Sequence, residues 1–169
     1  MAPGRNTVGD DVHEVAPVGS PSLLGSHRHT LDDKRRVAIP KPFRDQVEPR
    51  LGETWVICRQ LGGDPCLALY PLARFEAALA RLESLRDGVG VGSKEIRAYL
   101  RHVRMSAATV AADKQGRIVL SEEQCRLAGI EREAVFVGNG DHAELWAPER
   151  LPAGDEEQDF RQLAGRLFG

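Results

Sequence analysis

Apolar and polar residues alternate along the chain after residue 22, and the alternation then changes to a helical spacing. Residues 26–31 and 36–39 have the period of two that is typical of half-buried strands. The polar residues between them predict a tight turn that joins the two strands in an antiparallel hairpin. Phe43 and Val47 then stand four residues apart on one face of a short helix, and the stretches TWVICR and CLALYP predict two further strands.

A longer helical region follows these strands. Leucine and phenylalanine recur at spacings of three and four in PLARFEAALARLESLR, which predicts an amphipathic helix. The glycine-rich stretch DGVGVGS interrupts the helix, and KEIRAYLRHVR resumes it. This second part has a basic face formed by Arg97, Arg101 and Arg104.

The β-β-α-β-β pattern then recurs. When LDDKRRVAIP is compared with ADKQGRIVLS, Asp32 and Arg36 reappear as Asp113 and Arg117, both shifted by 81 positions. In the second copy the short helix corresponds to EEQCRLAG, and the last two strands correspond to AVFVG and AELWAP. Because a recurring pattern of this kind indicates duplicated structural units, we predict two copies of one module with equivalent DxxxR turns.

The pattern divides the chain into five parts. Residues 1–22 are rich in Gly, Pro and Asp and are predicted to form a flexible extension. The two modules occupy residues 26–73 and 107–150, and residues 74–106 form a helical linker between them. Residues 151–169 are predicted to form an acidic C-terminal helix. Its helical spacing comes from Phe160, Leu163 and Leu167.

The composition is that of a soluble globular protein, with 28% charged and 41% hydrophobic residues and a net charge of -2. The charge is unevenly distributed: residues 26–50 contain seven basic and four acidic residues, and residues 141–169 contain three basic and seven acidic ones. Such a chain can offer one basic face to phosphates. No run approaches the roughly 20 apolar residues that span a bilayer, and no signal-peptide pattern is present, so we expect a cytoplasmic protein without membrane contact.

The residues that could support chemistry are few. The cysteines are odd in number and have no CxxC spacing, which favours reduced core thiols. They are Cys58, Cys66 and Cys125. His27 and His29 lie near Asp32 but lack further ligands, so we interpret them as surface residues. DGVGVGSK fits no phosphate-loop pattern, and neither GxSxG nor HExxH occurs. We therefore expect no enzyme, cofactor, metal or small-molecule substrate. The aromatics Trp55, Tyr70 and Trp146 are predicted to be core or interface residues.

Several segments resemble the MraZ family, which regulates the bacterial division and cell-wall gene cluster. They are LLGSHRHTLDDKRRVAIPKPFRDQV, DPCLALYP, ADKQGRI and AVFVGNGDHAELW, together covering roughly residues 24–150. A single DxxxR motif is weak support, but two in equivalent turns, followed by LALYP and ELW, are strong support. The resemblance implies an α+β fold of two AbrB-like swapped-hairpin modules with a small β-barrel-like core. It also implies a ring-forming homo-oligomer.

The resemblance further implies binding to double-stranded DNA at tandem promoter repeats, and therefore a nucleoid-associated protein. The DxxxR arginines of the family correspond to Arg36 and Arg117, which become the expected main DNA contacts. An arginine can bind guanine O6 and N7 together, with about 1–3 kcal/mol of discrimination. Lys34 and Lys114 are expected to meet phosphates. Ring geometry would let individually weak contacts add up over repeated sites.

The loops also contain residues expected to act on loop structure. Asp32 and Asp113 can accept backbone N–H bonds or brace their own arginines. The family loop reads DxKGR, and Gly116 keeps the glycine whereas Arg35 replaces it. Because glycine tolerates positive φ, Arg35 either strains the turn by about 1–3 kcal/mol or forces another turn type. Alternatively Arg35 adds a phosphate contact. Replacing Arg35 by glycine is expected to be neutral or stabilising.

A plainer interpretation is that a turn crowded with Lys, Arg and Asp is only a solvated surface. We interpret the helix and turn charges in this way, namely Lys41, Arg44 and Arg50. A different class of function is an antitoxin-like interaction module whose acidic tail binds a partner protein. Antitoxins that resemble the AbrB group usually have one module and a disordered tail, so the duplication favours the regulator.

Overall fold

The computed structural model describes residues 22–85, 92–152 and 156–169. Nearly all of the predicted N-terminal extension and most of the glycine-rich stretch lie outside these residues. The strands are β1 (Ser26–Thr30), β2 (Arg36–Ala38), β3 (Thr54–Arg59), β4 (Leu67–Pro71), β5 (Ala108–Ala111), β6 (Arg117–Val119), β7 (Glu133–Gly138) and β8 (Ala143–Trp146). The helices are α1 (Lys41–Leu51), α2 (Leu72–Ser84), α3 (Ser93–Ser106), α4 (Glu122–Ala128) and α5 (Glu156–Phe168).

Six of these strands form one antiparallel sheet in the order β1-β7-β8-β4-β3-β5. The remaining two, β2 and β6, pair with each other as a separate two-stranded ribbon, with Val37 opposite Ile118. Strands of both sequence repeats therefore contribute to each sheet. The prediction of an α+β fold with a β-rich core is confirmed for the part of the chain that the structure describes.

The predicted hairpin between residues 26–31 and 36–39 is wrong in its pairing. Strand β1 pairs instead with β7 of the second repeat, with Ser26 opposite Val137, and β5 pairs with β3 of the first repeat, with Thr54 opposite Ala111. The tight turn exists, but the strands diverge after it. Alternation of apolar and polar residues identifies a strand and its buried face, whereas the partner is selected by tertiary packing.

The main core lies between one face of the large sheet and a layer formed by the ribbon, α1 and α4. From this layer come Val37, Ile39, Phe43, Val47, Ile118 and Leu120. They pack against sheet residues that include Trp55, Ile57, Leu69, Phe136 and Leu145. Each ribbon strand therefore buries its central residue, so its two flanking residues point outward.

Helices α2 and α3 cover the opposite face of the large sheet. Phe75 and Leu79 of α2 and Leu100 of α3 pack on Val56 and Tyr70. Trp55, Tyr70 and Trp146 are all buried, which confirms their prediction as interior aromatics. All three cysteines are free and buried, as the interpretation of core thiols requires.

Candidate nucleic-acid interface

The two DxxxR loops have the same backbone construction. In the first, the Arg35 N–H donates to the Asp32 carbonyl at 2.9 Å, and the Asp32 N–H donates to the Arg36 carbonyl at 3.0 Å. In the second, the corresponding bonds run from Gly116 to Asp113 and from Asp113 to Arg117, both at 2.9 Å. The loops are therefore equivalent in three dimensions as well as in sequence.

Each aspartate holds its loop together through both carboxylate oxygens. Asp32 Oδ1 accepts the backbone N–H groups of Lys34 and Arg36, both at 2.9 Å, and Asp32 Oδ2 accepts Arg36 Nε at 2.5 Å. Asp113 Oδ1 accepts the N–H groups of Gln115 and Arg117, and its Oδ2 accepts Arg117 Nε, all at 2.9 Å. One carboxylate thus fixes the turn and orients the guanidinium four residues later.

These bonds favour the charged form of both carboxyl groups. The backbone N–H of Arg36 is the main cause that lowers the pKa of Asp32, and the backbone N–H of Arg117 has the same effect on the pKa of Asp113. In both loops the arginine side chain adds to the effect and desolvation opposes it. Both aspartates are therefore ionised at neutral pH, as bracing of a guanidinium requires.

Pairing of β2 with β6 brings the two loops together. The Nη1 of Arg117 lies 3.7 Å from Asp32 Oδ2, so an arginine of the second loop contacts an aspartate of the first. Arg36 lies opposite Val119 in the ribbon, and Arg117 lies opposite Ala38. Because Val37 and Ile118 point into the core, both arginines lie on the outward face of the ribbon. The two loops lie at the two ends of the short ribbon and form one composite surface with its outward face. We call this whole surface the ribbon tip.

The predicted phosphate contacts also lie at the ribbon tip. Lys34 and Lys114 are exposed in their turns. By contrast, Lys41 is engaged on α1, where its Nζ lies 2.6 Å from Asp45 Oδ2. The ribbon tip therefore combines half-buried, oriented arginines with lysines that extend into solvent.

Arg35 keeps the turn type of the second loop. Its φ is 56°, in the left-handed region, and the φ of Gly116 is 76°. Of the two backbone alternatives for Arg35, the structure therefore has the strained conformation and not a different turn. The Arg35 side chain reaches to the strand of the other repeat, where its Nε donates to the Leu120 carbonyl at 3.1 Å.

Arg44 is not the solvated charge that its sequence context predicts. Its side chain is half-buried, and its Nε donates to the Ile39 carbonyl at 3.3 Å. The guanidinium covers Gly116, because a Cβ added to that glycine would lie 2.4 Å from Arg44 Cζ. The comparison of the two repeats contains a signal for this role. The position equivalent to Gly116 in the first repeat is Arg35, and the position equivalent to Arg44 in the second repeat is Cys125, so each repeat has one arginine at a different one of the two positions.

The two histidines of β1 lie at the edge of the core, where they are half-buried. His27 is half-buried with its ring edge-on to Phe43 at 5.2 Å, and His29 Nδ1 donates to the Ala38 carbonyl at 2.7 Å. Their interpretation as surface residues is therefore wrong in part. Within residues 22–85, 92–152 and 156–169, no group of three or more His, Cys, Asp or Glu side chains is arranged to hold a metal ion.

The predicted C-terminal helix is present as α5, and its apolar residues face solvent. Phe160 is 68% exposed, Leu163 52% and Leu167 73%. No helix in the described part of the chain is both long and apolar enough to cross a membrane. The apolar face of α5 is thus a second candidate functional surface, separate from the ribbon tip.

Comparison with known proteins gives consistent matches. A family model described as "MraZ protein, putative antitoxin-like" matches residues 23–88. The transcriptional regulator MraZ of Thermomicrobium roseum is 38% identical over 131 residues, which cover 78% of this chain and 85% of the relative. That of Limosilactobacillus fermentum is 36% identical over 149 residues, covering 87% and 97%. That of Pelotomaculum thermopropionicum is 36% identical over 147 residues, covering 86% and 94%.

Proposed function

The chain belongs to the MraZ family, and from this premise we propose that it is a transcriptional regulator that binds double-stranded DNA through the ribbon tip. One observation supports the proposal most directly. Arg36 and Arg117 lie on the outward face of one two-stranded ribbon, and each is oriented by a carboxylate of its own loop. The named relatives are transcriptional regulators, which agrees with this function.

The dimensions of the ribbon suit a DNA major groove. A groove about 12 Å wide admits a two-stranded β-ribbon. Arg117 lies opposite Ala38, two residues along the ribbon from Arg36. At the rise of a strand this separation is about 7 Å, which is close to the length of two base-pair steps. Each aspartate bonds the Nε of its arginine, and Arg117 Nη1 lies 3.7 Å from Asp32 Oδ2, which is beyond hydrogen-bond distance. The terminal nitrogens can therefore donate to guanine O6 and N7.

The other loop residues would support these contacts. We assign Lys34 and Lys114 to phosphates, and Asp32, Asp113 and Gly116 to loop structure. Phosphate contacts from flexible lysines would position the ribbon without reading sequence. The exchange of β1 and β5 between the repeats supports the description of residues 26–73 and 107–150 as two AbrB-like swapped-hairpin modules.

The proposed target is a set of tandem repeats upstream of the division and cell-wall gene cluster, and the proposed assembly is a ring of identical chains. A ring would hold many ribbon tips at fixed spacing. Binding one repeat would then raise the effective concentration of the next tip at the next repeat. Such a protein needs no catalytic group and would be found with the nucleoid.

A salt-titrated binding assay tests the function. The protein is measured against its own upstream repeats and against a scrambled duplex. We expect Arg36→Ala and Arg117→Ala each to lose about 1–3 kcal/mol of binding to the repeats without unfolding. Arg81→Ala is the matched control, because Arg81 is an exposed arginine on α2. Equal, weak binding to both duplexes would contradict the proposal.

A second candidate function is binding of a partner protein through α5. It is favoured by the exposed apolar residues of that helix and by the antitoxin-like description of the matching family model. Deletion of residues 153–169 separates the two functions. A DNA-binding regulator keeps its repeat-dependent binding in this variant, whereas a protein-binding module loses a specific copurifying partner.

A further inference from the structure

The ribbon is fastened at both ends by an arginine, but the two arginines come from different elements. At one end, Arg44 of α1 donates Nε to the Ile39 carbonyl at 3.3 Å. At the other end, Arg35 of the first loop donates Nε to the Leu120 carbonyl at 3.1 Å. Ile39 and Leu120 are equivalent residues of the two repeats, since they are shifted by 81 positions. The same atom in each repeat therefore accepts a guanidinium N–H.

Each of these two residues also donates its own N–H to the residue that precedes a loop arginine. The Ile39 N–H donates to the Gly116 carbonyl at 2.8 Å, and the Leu120 N–H donates to the Arg35 carbonyl at 3.0 Å. These two bonds extend the β2–β6 pairing beyond its last registered residues. A guanidinium bound at this point thus lies over the junction between one loop and the strand of the other repeat.

The arginine stands at a different position in each repeat. Around the second loop, the loop position is Gly116 and the helix position is Arg44, whose guanidinium occupies the space where a side chain at 116 would begin. Around the first loop, the loop position is Arg35 and the helix position is Cys125, which is 8% exposed. The charge of Arg35 acts to lower the pKa of Cys125 against the larger effect of burial, as a guanidinium close to the thiol would.

We infer that Arg35 and Arg44 are equivalent positioning residues, each of which holds one DxxxR loop against the end of the partner strand so that Arg36 and Arg117 point toward DNA in the same way. This inference rests on the proposed function. It assigns Arg35 to loop positioning and not to a phosphate. Arg35→Gly, which the sequence predicts to be neutral or stabilising, should therefore weaken DNA binding, because it removes the bond to the Leu120 carbonyl. This role also gives a physical reason for an arginine at a φ of 56°, because its bond to the Leu120 carbonyl offsets the strain.

A charge-conserving exchange tests the inference. The double variant Arg35→Gly/Cys125→Arg gives the first loop the arrangement of the second and leaves the net charge unchanged. It is compared with Arg35→Gly, Cys125→Arg and the wild type. Arg126→Ala is the control, because it removes an exposed arginine of the same helix.

Two readouts are measured for each variant. The first is affinity for the upstream repeats: we expect Arg35→Gly to lose about tenfold, the effect of one charge-assisted hydrogen bond, and the double variant to recover it to within about twofold. The second is the amide NMR shift of Asp32, whose N–H donates to the Arg36 carbonyl across the first loop, and of Leu120, whose N–H donates to the Arg35 carbonyl. These shifts should move in Arg35→Gly and return in the double variant, whereas Arg126→Ala leaves them in place.

A double variant that binds no better than Arg35→Gly, or that fails to fold when Arg35→Gly folds, overturns the inference. If the wild type does not distinguish the repeats from scrambled DNA, the proposed function fails, and the amide shifts then decide the inference alone. Shifts that return in the double variant sustain it, and shifts that stay displaced overturn it. The reciprocal exchange Gly116→Arg/Arg44→Cys repeats the test on the second loop with the same expected result.

Discussion

Arg117 of the second loop lies 3.7 Å from Asp32 of the first, although the two residues are far apart in the sequence. Asp32 Oδ2 also accepts Arg36 Nε, so a single carboxylate oxygen contacts the arginines of both loops. Asp113 holds Arg117 from the other side. The two loops are therefore joined by a direct ion pair between an arginine of one and an aspartate of the other.

This contact predicts unequal effects of two otherwise matched variants. Asp32→Asn should reduce discrimination between the upstream repeats and a scrambled duplex more than Asp113→Asn does, because Asp32 contacts two arginines. We expect about a tenfold loss of the specificity ratio for Asp32→Asn, the effect of a lost charge-assisted bond. The salt-titrated binding assay measures both variants. Equal losses would show that the contact between the loops has no effect on binding.

The lowered pKa values of Asp32 and Asp113 predict how the loops respond to acid. Because the pKa is lower in the folded state than in the unfolded state, the stabilisation is present above the unfolded-state pKa and is lost as the pH falls through the folded-state value. Changing the pH near neutrality should therefore leave the stability of the loops unchanged, because both carboxyl groups stay ionised. Carbon-detected NMR titration should place both carboxyl pKa values below that of an ordinary aspartate. In Arg36→Ala, the pKa of Asp32 should move upward, and an unchanged value would contradict the bracing role.

Two glycines with the same backbone conformation allow the packing of Arg44 to be measured. Gly116 and Gly140 both have a φ of 76°, but an added Cβ meets Arg44 only at Gly116 and has open space at Gly140. Gly140→Ala should cost about 1 kcal/mol of unfolding free energy from backbone strain alone. Gly116→Ala should cost about 1 kcal/mol more, because the added methyl group displaces the Arg44 guanidinium and breaks its bond to the Ile39 carbonyl. Denaturant unfolding measures both. In an Arg44→Ala background, where that bond is already absent, Gly116→Ala should cost no more than Gly140→Ala.

Burial predicts the reactivity of the thiols. Desolvation raises the pKa of Cys58 and of Cys66 to about 12, and it also raises the pKa of Cys125. Because only the thiolate reacts, the folded protein should react slowly with a disulfide reagent at pH 8, and all three thiols should react at once in guanidinium. Rapid reaction of the native protein at any of these positions would contradict the buried environment.

The sequence predicted the elements better than it predicted their partners. The strands, the short helices and the equivalence of the DxxxR turns follow from local alternation and from the repeat. The pairing of β1 with β7 does not, because both repeats present similar strands and the same alternation is satisfied by either partner.

Arg44 shows the same limit at the level of one side chain. A basic residue on a short helix is normally solvated, and nothing in its local sequence distinguishes Arg44 from Lys41. Its role depends on the missing side chain of Gly116, which is distant in sequence and adjacent in space. Similarly, the left-handed conformation of Arg35 depends on a carbonyl of the other repeat, so the local sequence left two backbone alternatives open.

The exchange of strands between the repeats also constrains when the molecule can fold during synthesis. Strand β1 of the first repeat leaves the ribosome well before its partner β7, which belongs to the second repeat. The ribbon has the same dependence, because β2 requires β6. An incomplete chain containing only the first repeat therefore has unpaired strand edges, and such edges recruit other chains. The first repeat therefore remains open to aggregation until the second repeat has been synthesised and its strands can pair.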